Sequence, residues 1–276
     1  KLKKNTKLWS KAIKIIPGGN GLLSKRPERF LPDYWPTYYS KCKGIEVVDL
    51  NGNKFLDFSN MAVGSNILGY ANEKVNKYVK RNIDSGNNCT LNSPLEVELA
   101  QLILKFHPEF HGVKFAKTGA EANAIALRIA RCYNQKYKIA FCGYHGWQDW
   151  FIGTTARNLG VPKGISELTH TFNYNDINSL EKIFDAYPNS IAGVIMEPMN
   201  VSYPESGFLE NVQKLCVNNK SLFILDEIIT GFRYSRGGAQ ELFGVVPDLA
   251  TFGKGLANGY PLSAIVGRAD VMSVME

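Results

Sequence analysis

Four short stretches combine chemically capable side chains with the glycines that would expose them. In Lys117-Thr118-Gly119-Ala120-Glu121-Ala122-Asn123 a hydroxyl and free backbone N–H groups open a helix at the positive end of its dipole, a setting that suits a phosphate. The plainer reading is an ordinary N-cap by Thr118. Gly143-Tyr144-His145-Gly146-Trp147 holds an aromatic ring and an imidazole between two glycines, groups that stack on and hydrogen-bond a planar heterocycle or else pack into a core. The run Leu222-Phe223-Ile224-Leu225 ends in Asp226-Glu227, a carboxylate at the mouth of a buried strand, which calls for a cation opposite unless it faces water. If the extended backbone continues, Asp226 and Ile228 share one side. Gly253-Lys254-Gly255 flanks a lysine with residues that let the backbone approach another group closely, although isolated sequences of this kind are usually surface turns.

These stretches are positioned by an alternation that begins near residue 72. Helical patterns at 72–84, 94–106, 120–132, 176–187 and 207–218 are separated by short apolar runs at 113–116, 139–142, 191–196, 222–225 and 249–252. Helices alternating with nearly continuous apolar strands indicate an α/β fold with a mostly parallel sheet flanked by helices. Ligands of such sheets sit beyond the carboxyl ends of the strands, where all four stretches fall. Upstream, Leu8, Trp9, Ala12, Ile13 and Ile16 recur at helical spacing until Pro17-Gly18-Gly19 ends the pattern. A β-hairpin is expected from 45–49 and 54–58 around Asn51-Gly52. The reading is a small N-terminal lobe over 1–60 and a large domain over 61–276.

Composition narrows the function classes. The chain has 276 residues, 45% of them hydrophobic, and its formal charge is +7. Residues 1–43 carry 11 basic and 2 acidic side chains, leaving 21 against 23 for the rest, so the excess is a basic N-terminal segment. No recognised nucleic-acid motif accompanies it, and solvated Lys-rich helix faces are common, so neither nucleic acid nor membrane is the expected partner. No apolar stretch approaches the roughly 20 residues of a membrane-spanning helix. Five scattered cysteines without a C-x-x-C pair fit a reduced, cytoplasmic protein. The chain lacks an initiator Met and stops inside an expected helix at Val274-Met275-Glu276, which reads as a fragment.

Two other chemistries fail on detail. A P-loop ending at Gly253-Lys254 would need Gly where Asp248 stands and Ser or Thr where Gly255 stands. A metal site is not expected, because His107 and His111 are flanked by Pro108 and Gly112 and have no clear third ligand.

Taken together, 225–233, Gly237-Gly238-Ala239-Gln240, Pro247-Asp248-Leu249 and Gly253-Lys254-Gly255 resemble the class III pyridoxal-phosphate-dependent aminotransferases, most closely the glutamate-1-semialdehyde 2,1-aminomutase group. Pro17-Gly18-Gly19, Asp49-Leu50-Asn51-Gly52, Thr118-Gly119-Ala120-Glu121-Ala122, Tyr144-His145-Gly146 and Glu197-Pro198 follow in the family's order, so the resemblance runs nearly end to end. It implies a fold-type I enzyme using pyridoxal 5'-phosphate, in which Lys254 holds the cofactor as a Schiff base and shuttles a proton, and Asp226 pairs with the pyridine nitrogen. Tyr144 and Ile228 would pack on the two ring faces, and Thr118, Gly119 and the Ala120 N–H would cradle the phosphate. His145 and Glu197 would line the pocket.

The resemblance further implies a small-molecule amino donor and acceptor, a homodimer, and a C-terminal lobe that this chain lacks. Three departures stand out. Ala120 replaces a common Thr, Asn200 is displaced relative to Glu197-Pro198, and Ser24-Lys25-Arg26-Pro27 replaces the Ser-Pro-x-Arg carboxylate motif, leaving Ser24 and Arg26 as the substrate-binding candidates. The expected activity is transaminase or aminomutase chemistry. The alternatives are a transaminase on an amino sugar or an ω-amino acid, and a truncated, non-catalytic paralogue.

Overall fold

A computed structural model describes residues 3–32, 34–58, 61–86, 89–199 and 201–275, so the Asn200 departure lies outside the described residues. Two compact units are present, Lys1–Asn88 and Cys89–Glu276. The first extends well past residue 60, where the sequence reading placed its boundary. One reason is local: after the hairpin the chain returns to it, and Gly44 and Tyr70 pair as an antiparallel bridge.

In the first unit a helix, Lys3–Ile15, precedes strands β1 (Tyr39–Lys43), β2 (Glu46–Asp49) and β3 (Lys54–Leu56). The expected hairpin is β2–β3, and β1 adds to its free edge. Its turn is knotted by buried Asp49, whose carboxylate accepts from the backbone N–H groups of Asn51 (2.8 Å) and Asn53 (2.9 Å) and from Asn5 of the helix (3.1 Å). The Pro17-Gly18-Gly19 turn has its own cause. The Trp9 ring lies against Gly19, where a Cβ would come within 2.2 Å of it, and both glycines take positive φ.

The second unit is built on seven strands: β4 (Gly112–Ala116), β5 (Lys138–Cys142), β6 (Thr169–Thr171), β7 (Ile191–Met196), β8 (Leu222–Asp226), β9 (Leu249–Phe252) and β10 (Ser263–Gly267). Their order across the sheet is β4-β10-β9-β8-β7-β5-β6. Every pairing is parallel except those of β10, which runs antiparallel to both neighbours. The five apolar runs of the sequence are β4, β5, β7, β8 and β9. The strands it did not reveal are the short polar edge strand β6 and the reversed β10.

Alternation divides most of the sheet's side chains between two cores, and a third cluster joins Ala250, Phe252, Ala264 and Val266 to Ile103 and Phe110. Ile139, Phe141, Ile195, Ile224 and Leu249 meet Ala122, Ala126, Leu127 and Ala130 of helix Gly119–Asn134 on one face. Ala140, Cys142, Val194, Met196, Phe223 and Leu225 meet Leu180, Phe184, Leu209 and Val212 of helices Ile177–Ala186 and Phe208–Asn218 on the other. Each fully buried large apolar side chain contributes roughly 1.5–3 kcal/mol, so burial on both faces explains why β7, and β8 as far as Leu225, are continuous apolar runs. Among the described residues no helix is long and apolar enough to cross a membrane.

Topology then fixes where chemistry collects. Because β10 is antiparallel to both β9 and β4, β4 runs in the same direction as the parallel strands. One line of register crosses the sheet at its carboxyl edge: Cys142 pairs with Met196, Met196 with Leu225, Asp226 with Thr251, Phe252 with Ala264, and Ser263 with Ala116. The residues following β4, β5, β7, β8 and β9, and those preceding β10, are therefore gathered along one rim.

Candidate active site

Asp226 ends β8 and is 3% exposed. Its Oδ2 accepts from Asn123 Nδ2 (2.8 Å) and faces His145 Nδ1 (2.7 Å), while Oδ1 accepts from the Ile228 backbone N–H (3.0 Å). His145, 2% exposed, places its other nitrogen 3.0 Å from the Cys142 carbonyl oxygen. Which of the two ring nitrogens donates depends on the tautomer. His145 and Asp226 thus form a buried, directly bonded pair. Burial of such a pair requires further hydrogen bonding to offset desolvation, and Asn123 supplies it.

Asn123 is itself fixed. Thr251 Oγ1 donates to its Oδ1 (2.8 Å), and its Nδ2 also donates to the His145 carbonyl (3.2 Å). Neither Asn123 nor Thr251 was among the sequence candidates. Their signal was a polar residue interrupting an apolar pattern: Asn123 on the buried face of helix Gly119–Asn134, and Thr251 inside the β9 run.

Lys254 follows β9 with a positive φ of 43°. Burial lowers the pKa of its amine from the ordinary lysine value; the carboxylates of Asp226 and Glu197 offset part of this, and the Arg233 guanidinium lowers it further. Buried Glu197 follows β7 and accepts the Tyr144 backbone N–H through Oε2 (3.0 Å). Gly143 makes that approach possible, since a Cβ there would lie 2.5 Å from Glu197 Oε2. The Tyr144 ring is 62% exposed and meets Phe151 edge-on at 5.4 Å, so it stands at the rim rather than in the core.

Thr118 caps helix Gly119–Asn134, its hydroxyl oxygen accepting from the Glu121 N–H (3.3 Å) while the Glu121 carboxylate accepts from Thr118 N–H (2.8 Å). The plainer reading of Thr118 is therefore realised, and its hydroxyl proton remains to be donated. The N–H groups of Gly119 and Ala120 face no acceptor among the described residues. Ile228 lies between this turn and Lys254: a Cβ on Gly119 would come within 2.5 Å of its Cδ1, and one on Gly253 within 3.4 Å of its Cγ2.

Gly146 ties the β5 loop to the same helix start. Its φ is 113°, and a Cβ would lie 2.7 Å from Ala120 Cβ and 3.1 Å from Ala120 Cα. Gly146→Ala is expected to destabilise the fold by about 1–3 kcal/mol, read as a lowered urea midpoint with unchanged slope; an unaltered midpoint would remove this role for the glycine.

The structure thus brings Thr118, Gly119, Ala120, Tyr144, His145, Glu197, Asp226, Ile228 and Lys254 to one rim of the second unit. Ser24 and Arg26 belong to the first unit. Ser24 is exposed in a short 3-10 turn, and the Arg26 guanidinium rests on Gly18, where a Cβ would lie 1.9 Å from Nη2.

Residues 32–276 match the family model described as aminotransferase class-III. The chain is 38% identical to a 3-aminobutyryl-CoA aminotransferase of Cloacimonas acidaminovorans, an alignment covering all of this chain and 67% of that one. It is also 38% identical to a glutamate-1-semialdehyde 2,1-aminomutase of Aquifex aeolicus, covering 98% of this chain and 66% of the other. Among solved structures, a transaminase with PLP bound superposes with a TM-score of 0.90 at 25% identity, over 99% of this chain and 66% of its own. An omega-transaminase from Sphaerobacter thermophilus gives 0.87 at 28% identity, over 98% and 65%. The chain spans about two thirds of the length of these relatives.

Proposed function

This chain belongs to the class III aminotransferase family, and from that premise we propose that it binds pyridoxal 5'-phosphate and moves an amino group between small molecules. The observation that carries the proposal is the convergence on one rim of a buried, hydrogen-bonded carboxylate at 226 and a lysine of lowered pKa at 254.

The residues present fit such a cofactor. Two N–H groups at a helix start, at Gly119 and Ala120, suit its phosphate. The buried Asp226 carboxylate, held by Asn123 and His145, suits a protonated ring nitrogen. The glycines at 119 and 253 admit Ile228, an apolar side chain for a ring face, and exposed Tyr144 offers an aromatic one.

When bound, pyridoxal phosphate supplies an electron-withdrawing ring that stabilises negative charge developing on the substrate carbon. The rest is done by the chain. Asp226 holds the ring-nitrogen proton, and His145, Asn123 and Thr251 hold Asp226. Lys254 would hold the cofactor covalently and would carry the transferred proton at Nζ. Only a neutral amine can form that bond or accept the proton, and the lowered pKa enlarges that fraction near neutrality.

The sign of the pH dependence follows. Attachment of the cofactor to Lys254 should accelerate as pH rises through the lysine pKa, with a midpoint below that of an ordinary lysine. Arg233→Ala should move this midpoint upward, and stopped-flow absorbance across pH reads both. A midpoint at the ordinary lysine value would remove the desolvation argument.

A homodimer and a cytoplasmic location are part of the same reading. For the substrate, an aldehyde of the glutamate-1-semialdehyde type is the first choice, with ω-amino acids and amino sugars as the wider class. A second reading is an amine on an acyl-CoA, supported by the 3-aminobutyryl-CoA aminotransferase of Cloacimonas acidaminovorans, which aligns over all of this chain. Titration with pyridoxal phosphate should develop a visible absorbance band, bleached by the competent amine among these classes. No band at saturating cofactor would overturn the proposal.

A further inference from the structure

We infer that Glu227 is a positioning residue whose buried carboxylate closes the segment 227–240 into a clamp that fixes Ile228 at the candidate site. The effect on turnover rests on the cofactor reading above, whereas the clamp itself does not.

Glu227 is completely buried beside Asp226, and among the described residues no cation contacts its carboxylate. What it has is donors from both ends of the segment that follows. The Thr230 hydroxyl donates to Oε2, as does the Ala239 N–H (3.0 Å), and the Gln240 N–H donates to Oε1 (2.7 Å). Burial pushes the carboxyl pKa up, the three donors pull it back, and the neighbouring Asp226 charge adds to the rise. Three donors around one group match an ionised carboxylate, which only accepts. Their arrangement spans 13 residues, so the side chain acts as a staple across the loop.

The loop between these anchors is built to depend on the staple. Gly238 has a φ of 77°, and a Cβ on it would lie 2.7 Å from Glu227 Oε1. Gly231 donates to the Glu227 carbonyl (2.7 Å), and a Cβ there would reach within 2.5 Å of the Phe252 ring. Phe232 is held at a φ of 60°, a left-handed conformation costing a bulky residue roughly 1–2 kcal/mol. Its ring meets Phe252 at 5.3 Å and buried His107 at 6.3 Å, and His107 in turn contacts Gln240 Nε2 at 2.8 Å. A strained, tightly packed loop persists only when its surroundings over-determine it.

Two groups of the candidate site hang from this segment. Ile228 is the next residue, with its N–H on Asp226 and its side chain against Gly119 and Gly253. Arg233 is carried at the loop's middle, and its charge acts on Lys254. Freeing the segment would therefore loosen the apolar contact beneath the cofactor and blur the charge beside the lysine, without touching either catalytic residue.

The test compares Glu227→Gln, which turns an amide N–H₂ toward backbone donors, with Thr230→Val, which removes one donor at equal volume. In the chain without cofactor, hydrogen exchange of peptides covering 228–241 should accelerate about tenfold in Glu227→Gln and less in Thr230→Val, while peptides over 208–225 stay at the wild-type rate. With pyridoxal phosphate bound, kcat should fall about tenfold or more with KM changed less than twofold, since a displacement near 1 Å can cost up to 10²-fold. Wild-type exchange over 228–241 in a folded Glu227→Gln overturns the clamp, and accelerated exchange with unchanged kcat and cofactor spectrum overturns its positioning role. If Glu227→Gln does not fold, Thr230→Val decides by the same two readouts. Failure of the wild-type chain to take up cofactor sinks the functional proposal instead, and leaves the exchange result to judge the staple.

Discussion

Lys254→Ala is expected to lower turnover by about 10⁴-fold, the upper range for loss of a positioned acid–base group, and to abolish any borohydride-fixable link between cofactor and protein. Both effects come from one atom. Nζ is the only part of the residue that can bond to the cofactor aldehyde or carry a proton, and no other lysine lies among the strand-end residues gathered at the rim apart from Lys117, which precedes the cap. The fold should tolerate the change. Lys254 is half-buried with a lowered pKa, so its removal deletes a desolvated amine rather than a packed core group. Its positive φ is the one local risk, since alanine accepts that conformation no more readily than lysine. Mass spectrometry after borohydride treatment, beside kcat at saturating cofactor, reads the two effects independently. A link surviving in the variant would move the covalent role to another residue; a lost link with wild-type turnover would show that the attachment is dispensable.

Much of this arrangement was legible in the sequence because its causes are local. Helix periodicity placed Gly119–Asn134 and Pro94–Phe106 to within a residue or two, since an apolar stripe and an N-cap are both short-range signals. Strands buried on both faces read as continuous apolar runs, and the rule that ligands lie past their carboxyl ends singled out Asp226 and Lys254. What escaped is decided by tertiary pairing. β10 is a five-residue segment whose reversed insertion between β4 and β9 depends on partners far along the chain. β6 is three residues, Thr-His-Thr, with no apolar period to detect. The contacts that define the site are equally long-range: Asn123 and Asp226 are 103 residues apart, and His145 and Asp226 are 81 apart. A buried Asn in an apolar helix face announces only that some partner exists. Similarly, Glu227 read as the polar end of a strand, and nothing in its neighbours disclosed that Ala239 and Gln240 would return to it.

Asp226→Asn separates the electrostatic from the structural share of this network. At equal shape, the amide nitrogen must occupy one of two positions. In place of Oδ2 it confronts Asn123 Nδ2, and in place of Oδ1 it confronts the Ile228 N–H. Either choice leaves a buried donor without an acceptor, at about 1–3 kcal/mol. His145 keeps its contact with the Cys142 carbonyl but then faces an amide in place of a carboxylate. The site thereby lacks a carboxylate where a ring-nitrogen proton has to be held. Loss of one such preorganised electrostatic partner costs about 10²–10³-fold in kcat, a factor that more cofactor cannot restore. The expected result is a modestly lowered melting temperature, retained cofactor uptake, and turnover reduced by that factor. His145→Ala should act in the same direction, and the double variant should cost less than the two singles combined, because both remove one coupled pair. Turnover within a few-fold of wild type in a cofactor-loaded Asp226→Asn protein would mean that this buried charge serves the fold and not the chemistry.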